Sequence, residues 1–110
     1  MDATLLTAHV ERFNHGVRTG DFEPMVAGFT PDAVMDFVGA PAGPFVGRNA
    51  IAAAYARQAP SDEVCVLGTP VVHEGVISAD YAWASDGRRA GRILLTPRGH
   101  GIARLTITFE

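Results

Sequence analysis

One carboxylate interrupts an otherwise apolar run, Ala33-Val34-Met35-Asp36-Phe37-Val38. An ionised acid is costly to bury without partners, so in such a run it is neutralised, paired or put to use. Asp36 is therefore the first candidate for a proton-transfer group, against the alternative of a strand-end Asp whose side chain reaches water. His9 lies one helical turn before Phe13 and can look toward a pocket entrance as a donor or second base. A surface or helix-boundary position is the ordinary outcome for it, and for His15, His73 and His100. No histidine pair has the His-Glu-x-x-His spacing and no Cys/His cluster exists, so no metal site is expected. Without a Gly-x-Gly-x-x-Gly, a phosphate loop or a Gly-x-Ser-x-Gly, no cofactor, nucleotide or serine nucleophile is implied.

Helical and extended segments must hold these groups. Leu6, Val10, Phe13 and Val17 step by four, three and four, predicting a helix from Thr4 to Arg18 that stops at Gly20. Asp21 can cap a short second helix carrying Phe22, Met25, Val26 and Phe29, ended by Thr30-Pro31-Asp32. A Gly/Pro-rich stretch from Gly39 to Gly47 precedes an Ala-rich helix from about Asn49 to Gln58, with Ile51, Ala54, Tyr55 and Gln58 on one face. Beyond Ser61 the chain reads as an antiparallel meander. Its expected strands are Glu63 to His73, Val76 to Ala84, Arg88 to Thr96, and a last strand in which Leu105, Ile107 and Phe109 alternate with Arg104, Thr106 and Thr108. Arg92 or Arg89 can pair with Asp80 across neighbouring strands. Helices followed by a curved sheet give an α+β architecture.

The 110 residues carry a formal charge of -3, enough chain for one small domain and too little basic surface for nucleic acid. A single cysteine, Cys65, excludes an internal disulfide and permits a reducing compartment. Met1-Asp2-Ala3-Thr4-Leu5-Leu6 lacks a leader pattern, and no apolar run nears the roughly 20 residues that span a bilayer. A cytoplasmic protein without a membrane partner is expected.

Val10-Glu11-Arg12-Phe13, Thr19-Gly20-Asp21, the run from Phe29 to Gly39, and Gly47-Arg48-Asn49-Ala50-Ile51 through Tyr55 resemble the first half of the ketosteroid isomerases. These belong to the nuclear transport factor two-like superfamily, with polyketide cyclases, epoxide hydrolases and small binding proteins. The similarity covers most of the first 59 residues, and the sheet half agrees in pattern. It implies one cone-shaped domain over residues 1–110, with three N-terminal helices packed on a curved, mainly antiparallel sheet.

The resemblance places Asp36 on the isomerase general base, and Phe13 where the family has a tyrosine that donates to an oxyanion. Tyr55 matches the tyrosine supporting that donor. The family's late-strand protonated acid has no counterpart, because no Asp or Glu lies between Gly87 and Phe109. A general base is worth about 10²–10⁴ in rate and each oxyanion donor about 10²–10³. Tyr55 then either replaces the missing donor or is an amphipathic residue at a helix rim.

The leading expectation is isomerisation or cyclisation by proton abstraction next to a carbonyl in a small apolar, steroid- or polyketide-like substrate, with Tyr55 as donor and Asp36 as base, its side chain pointing into the helix-sheet cavity and its pKa raised by desolvation. Phe13, Val34, Val38, Trp83, Phe109 and His9 are the expected substrate contacts. The alternatives are a non-catalytic small-molecule binding domain and a dimer-forming interaction protein. A homodimer through the outer sheet face is expected, with Val64, Val66 and Val72 sharing its parity.

Overall fold

A computed structural model describes residues 3–110, so Met1 and Asp2 lie outside it. Helix α1 (Thr4–Thr19) is followed by a short α2 (Glu23–Ala27), then strands β1 (Phe29–Val38) and β2 (Phe45–Val46). Helix α3 (Arg48–Arg57) leads into β3 (Val64–His73), β4 (Val76–Trp83), β5 (Arg89–Arg98) and β6 (Gly101–Thr108). The six strands form one curved, unclosed sheet in the order β2-β1-β6-β5-β4-β3. The expected meander is present from β3 to β6, while β1 runs parallel to β6 and makes the sheet mixed.

The expectation of three N-terminal helices needs correction, because α3 enters only after β1 and β2. Helix two is also shorter than its periodicity suggests. Phe29 opens β1 opposite Ile102, and Thr30-Pro31-Asp32 continue the strand instead of ending a helix. Pro31 is tolerated there because the β1–β6 register shifts between Phe29 and Val34, where no ladder bond needs its missing N–H.

Strand parity divides the sheet into two chemically different faces. Ala33 and Met35 of β1, Ile93 and Leu95 of β5, Ile77, Ala79 and Tyr81 of β4, and Leu105 of β6 are buried on the inner face. Leu6 and Val10 of α1, Met25 of α2 and Ile51 of α3 pack into the same core. The outer face carries the intervening residues, among them Asp36, Asp80, Arg92, Arg104 and Thr106. Arg92 Nε and Arg89 Nη2 donate to Asp80 Oδ1 at 3.1 and 3.3 Å, so both cross-strand pairings of Asp80 occur together. In β3 the parity is opposite to expectation. Val64 and Val66 stand across from Trp83 and Tyr81 and join the core, leaving Cys65, Leu67 and Val71 outside.

Two polar contacts seat the helices over the inner face. The Asn14 amide donates to Val64 O at 2.9 Å and accepts from Val64 N at 2.8 Å, tying α1 to the edge strand β3. Gly47 N donates to Ala33 O at 2.7 Å, which sets the start of α3 against β1. Where β5 crosses β6, the strands approach so closely that a Cβ on Gly91 would lie 1.8 Å from Thr108 O. That oxygen also accepts the Tyr81 hydroxyl at 3.0 Å. Gly91→Ala should therefore lower unfolding free energy by about 1–3 kcal/mol or more through backbone overpacking, read from denaturant midpoints. An unchanged midpoint would contradict this close approach.

Candidate functional site

Between the inner sheet face and the helices lies a cavity of about 280 Å³. Helix α1 contributes His9, Val10 and Phe13, and α3 with its C-cap residue contributes Ala54, Tyr55 and Gln58. The sheet contributes Met35 and Phe37 from β1, Tyr81 and Trp83 from β4, Ile93 from β5, and Leu105, Ile107 and Phe109 toward the chain end. Exposed Ala42 and Gln58 mark its mouth. Such a wall, mostly aromatic and aliphatic with few polar groups, is the usual make-up of a small-molecule pocket, here at the small end of the common size range.

Five of the residues singled out in the sequence line this cavity: His9, Phe13, Tyr55, Trp83 and Phe109. Val34, Asp36 and Val38 do not. They alternate with Met35 and Phe37, whose side chains take the inward parity of β1, so all three stand on the outer face, where Val38 is 55% exposed. The expected inward orientation of Asp36 is thus corrected. Arg104 Nη2 donates to its Oδ2 at 2.8 Å and Thr106 Oγ1 to its Oδ1 at 2.6 Å. Partial burial alone would raise the Asp36 pKa. The two hydrogen bonds and the Arg104 charge together outweigh it and hold the carboxyl below the usual aspartate value, contrary to the expected rise.

Three titratable side chains, His9, Tyr55 and Tyr81, line the cavity among the described residues. His9 is only 5% exposed, its ring edge-on to Phe29 at 5.6 Å between centroids. Among the described residues, its Nδ1 is the buried side-chain polar atom without a hydrogen-bond partner. Burial and, secondarily, the Arg12 charge lower its pKa from 6.5 to about 4, so it is neutral at pH 7. The Tyr55 ring stacks on Phe22 at 5.1 Å and meets Phe13 edge-on at 6.4 Å. Among the described residues its hydroxyl has only the Met35 sulfur within reach, at 3.7 Å, a weak acceptor. Desolvation pushes its pKa up, keeping the phenol protonated. The Tyr81 hydroxyl is already committed to Thr108 O.

Sequence reasoning overlooked Met35, Phe37, Tyr81 and Ile107 as wall residues and Asn14 as the side chain that seats α1. From Ala33 to Val38 both parities of β1 are apolar except at Asp36, and the desolvation cost of that carboxylate is itself the signal that its parity faces water. For His15, His73 and His100 the structure agrees with the surface reading, whereas His9 is buried.

The buried imidazole has a measurable consequence. The unfolded chain binds a proton near pH 6.5 while the folded one resists until about pH 4, so the contribution is complete above the unfolded value and is lost as pH falls. At about 1.4 kcal/mol per pKa unit, wild type should lose up to about 3 kcal/mol between pH 6.5 and 4 relative to His9→Phe. Carboxylates titrate in both proteins and cancel in the difference. Parallel stability curves across that window would refute the assignment.

Among the described residues, no helix is long and apolar enough to cross a membrane. No curated protein matches the chain in sequence. In fold, the chain is similar to an NTF-2 like protein of unknown function from Burkholderia xenovorans LB400, at 16% identity, TM-score 0.72, and coverage of 100% of this chain and 86% of that one. It is also similar to a protein with a ketosteroid isomerase-like fold from Catenulispora acidiphila DSM 44928 solved with trimethylamine, at 13% identity, TM-score 0.74, and 100% and 88% coverage. A third similar structure is a proposed polyketide cyclase from Xanthomonas campestris pv. campestris, at 18% identity, TM-score 0.66, and 100% and 93% coverage. These identities speak for the fold alone. The SnoaL-like domain matches residues 10–108, nearly the whole chain, and the protein belongs to that family, within the nuclear transport factor two-like fold.

Proposed function

We propose that this chain, as a single domain, binds a small, largely apolar molecule in the cavity between α1, α3 and the inner sheet face. The observation that carries the reading is an aromatic-walled space of about 280 Å³ whose lining, among the described residues, includes no Asp, Glu, Lys or Arg. Trp83, the one tryptophan of the chain, lies in that wall and supplies an intrinsic optical reporter. The protein of similar fold from Catenulispora acidiphila was solved in complex with trimethylamine, which is in keeping with a ligand-binding use of this fold.

The enzymatic reading is isomerisation or cyclisation by proton transfer next to a carbonyl, with Asp36 as general base and Tyr55 as donor. Family resemblance supports it, and the outward, ion-paired carboxylate of Asp36 works against it. Binding therefore ranks first. A planar apolar probe such as naphthalene should quench or shift Trp83 emission on titration. Ala54→Trp, which fills the space from α3, should weaken that binding at least about tenfold, the equivalent of 1.4 kcal/mol. Asp36→Asn should leave probe affinity within about twofold while removing charge-assisted bonds worth about 1–3 kcal/mol of stability. Should Asp36→Asn instead abolish turnover of a β,γ-unsaturated ketone, the enzymatic reading takes precedence.

We further propose a homodimer through the outer sheet face. Val64 and Val66 no longer argue for it, but Val38, Val46 and Val71, exposed by 55, 68 and 58%, do. Light scattering at micromolar concentration should give twice the 11.7 kDa chain mass. A monomer mass would refute this assembly.

A further inference from the structure

The cavity's two uncommitted titratable side chains point in one chemical direction. The His9 Nδ1 is sealed without a partner. An orphaned buried N–H is rarer in proteins than an under-used acceptor, so the favoured neutral tautomer leaves Nδ1 bare and puts the proton on Nε2. The imidazole then offers the cavity a donor. Among the described residues Tyr55 O–H has only a thioether within reach, so its donating capacity is also largely unused. Trp83, lining the same wall, carries an indole nitrogen that can only donate. Against these donors the described lining residues supply no carboxylate, and the Tyr81 hydroxyl already donates to Thr108 O.

An apolar space with unused donors rewards a ligand that brings an acceptor, because polar groups left unpaired next to a hydrocarbon lose their hydration without compensation. Resting on the binding reading above, we propose that the occupant is a neutral molecule with a planar apolar body and one hydrogen-bond acceptor, a ketone carbonyl being the simplest. It accepts a hydrogen bond from His9 Nε2–H, with Tyr55 O–H as the second donor of the cavity. An anionic head is disfavoured, since no lining residue is a Lys or Arg to balance it. Burial keeps His9 uncharged down to about pH 4, which removes the imidazolium as a counter-ion at neutral pH.

Three naphthalenes of matched size test this on the intact protein by equilibrium dialysis at pH 7: 2-acetylnaphthalene, its alkene isostere 2-isopropenylnaphthalene, and 2-naphthoate. Wild type should prefer the ketone over the alkene by about five- to tenfold, a normal net hydrogen-bond contribution, and should bind naphthoate more weakly than the ketone. In His9→Phe the ketone-to-alkene ratio should fall most of the way toward one, the remainder being owed to Tyr55, and Tyr55→Phe should lower it by that smaller part. Nitrogen-15 spectra of wild type should show His9 protonated on Nε2, a measurement that stands even if a variant fails to fold. Equal affinity for ketone and alkene, or a proton on Nδ1, would overturn the donor assignment while leaving the binding function intact. Tightest binding of naphthoate would overturn the preference for a neutral ligand. Failure of all three probes to bind would remove the binding reading itself.

Discussion

The period-two alternation of β1, anchored on its outer side by Asp36, is the constraint on which the rest of the site depends. Arg104 and Thr106 hold that carboxylate from the neighbouring strand, and a one-residue slip would drive a charge into the cavity and turn Met35 and Phe37 out to solvent. The slip would strand an ionised group among aromatic rings and break its two charge-assisted bonds, so the register is well determined. Because β1 and β6 run parallel, the same lock lines up Leu105 and Ile107 with Met35 and Phe37 along one wall. The pair at Asp36 acts on the cavity by fixing geometry from behind it.

His9 carries the opposite kind of tension. A neutral imidazole with one nitrogen unpartnered is an uncomfortable tenant for a core position that Leu or Phe would fill without penalty. Asn14, five residues further along α1, offsets part of that strain by fastening the helix to β3 with two reciprocal hydrogen bonds. The ring therefore has little freedom to swing to water. Local instability tolerated at one buried polar group, with the surroundings over-determined, is how binding sites commonly differ from plain cores.

Much of this architecture was legible from residue order. The 3.6-residue spacing of Leu6, Val10, Phe13 and Val17 fixed the buried side of α1, and the alternation of Leu105, Ile107 and Phe109 with Arg104, Thr106 and Thr108 fixed the faces of β6. The β3 parity was not legible, since Cys65, Leu67 and Val71 are as apolar as Val64, Val66 and Val72, and only pairing with Tyr81 and Trp83 decides between them. The same near-symmetry hid the faces of β1, where similarity to enzymes with an inward acid pulled against the desolvation cost of Asp36. Phe29 misled in another way. Its spacing suits a helix, but its pairing opposite Ile102 is a tertiary event that local periodicity does not register.

The origin of the cavity's parts has a consequence for how such a protein can change. His9 and Tyr55 come from α1 and α3, whereas most of the apolar wall comes from the sheet, whose register depends on contacts across its other face. Helical positions that face a cavity can be exchanged one at a time without disturbing a strand ladder. Sheet positions cannot, because each sits in a row of cross-strand neighbours. On the proposed binding function, new ligand preferences are therefore most accessible through point changes on two short helical faces, with the sheet kept as a chassis. For a designer, that reduces the re-specification of this pocket to a handful of positions in α1 and α3, screened against an unaltered scaffold.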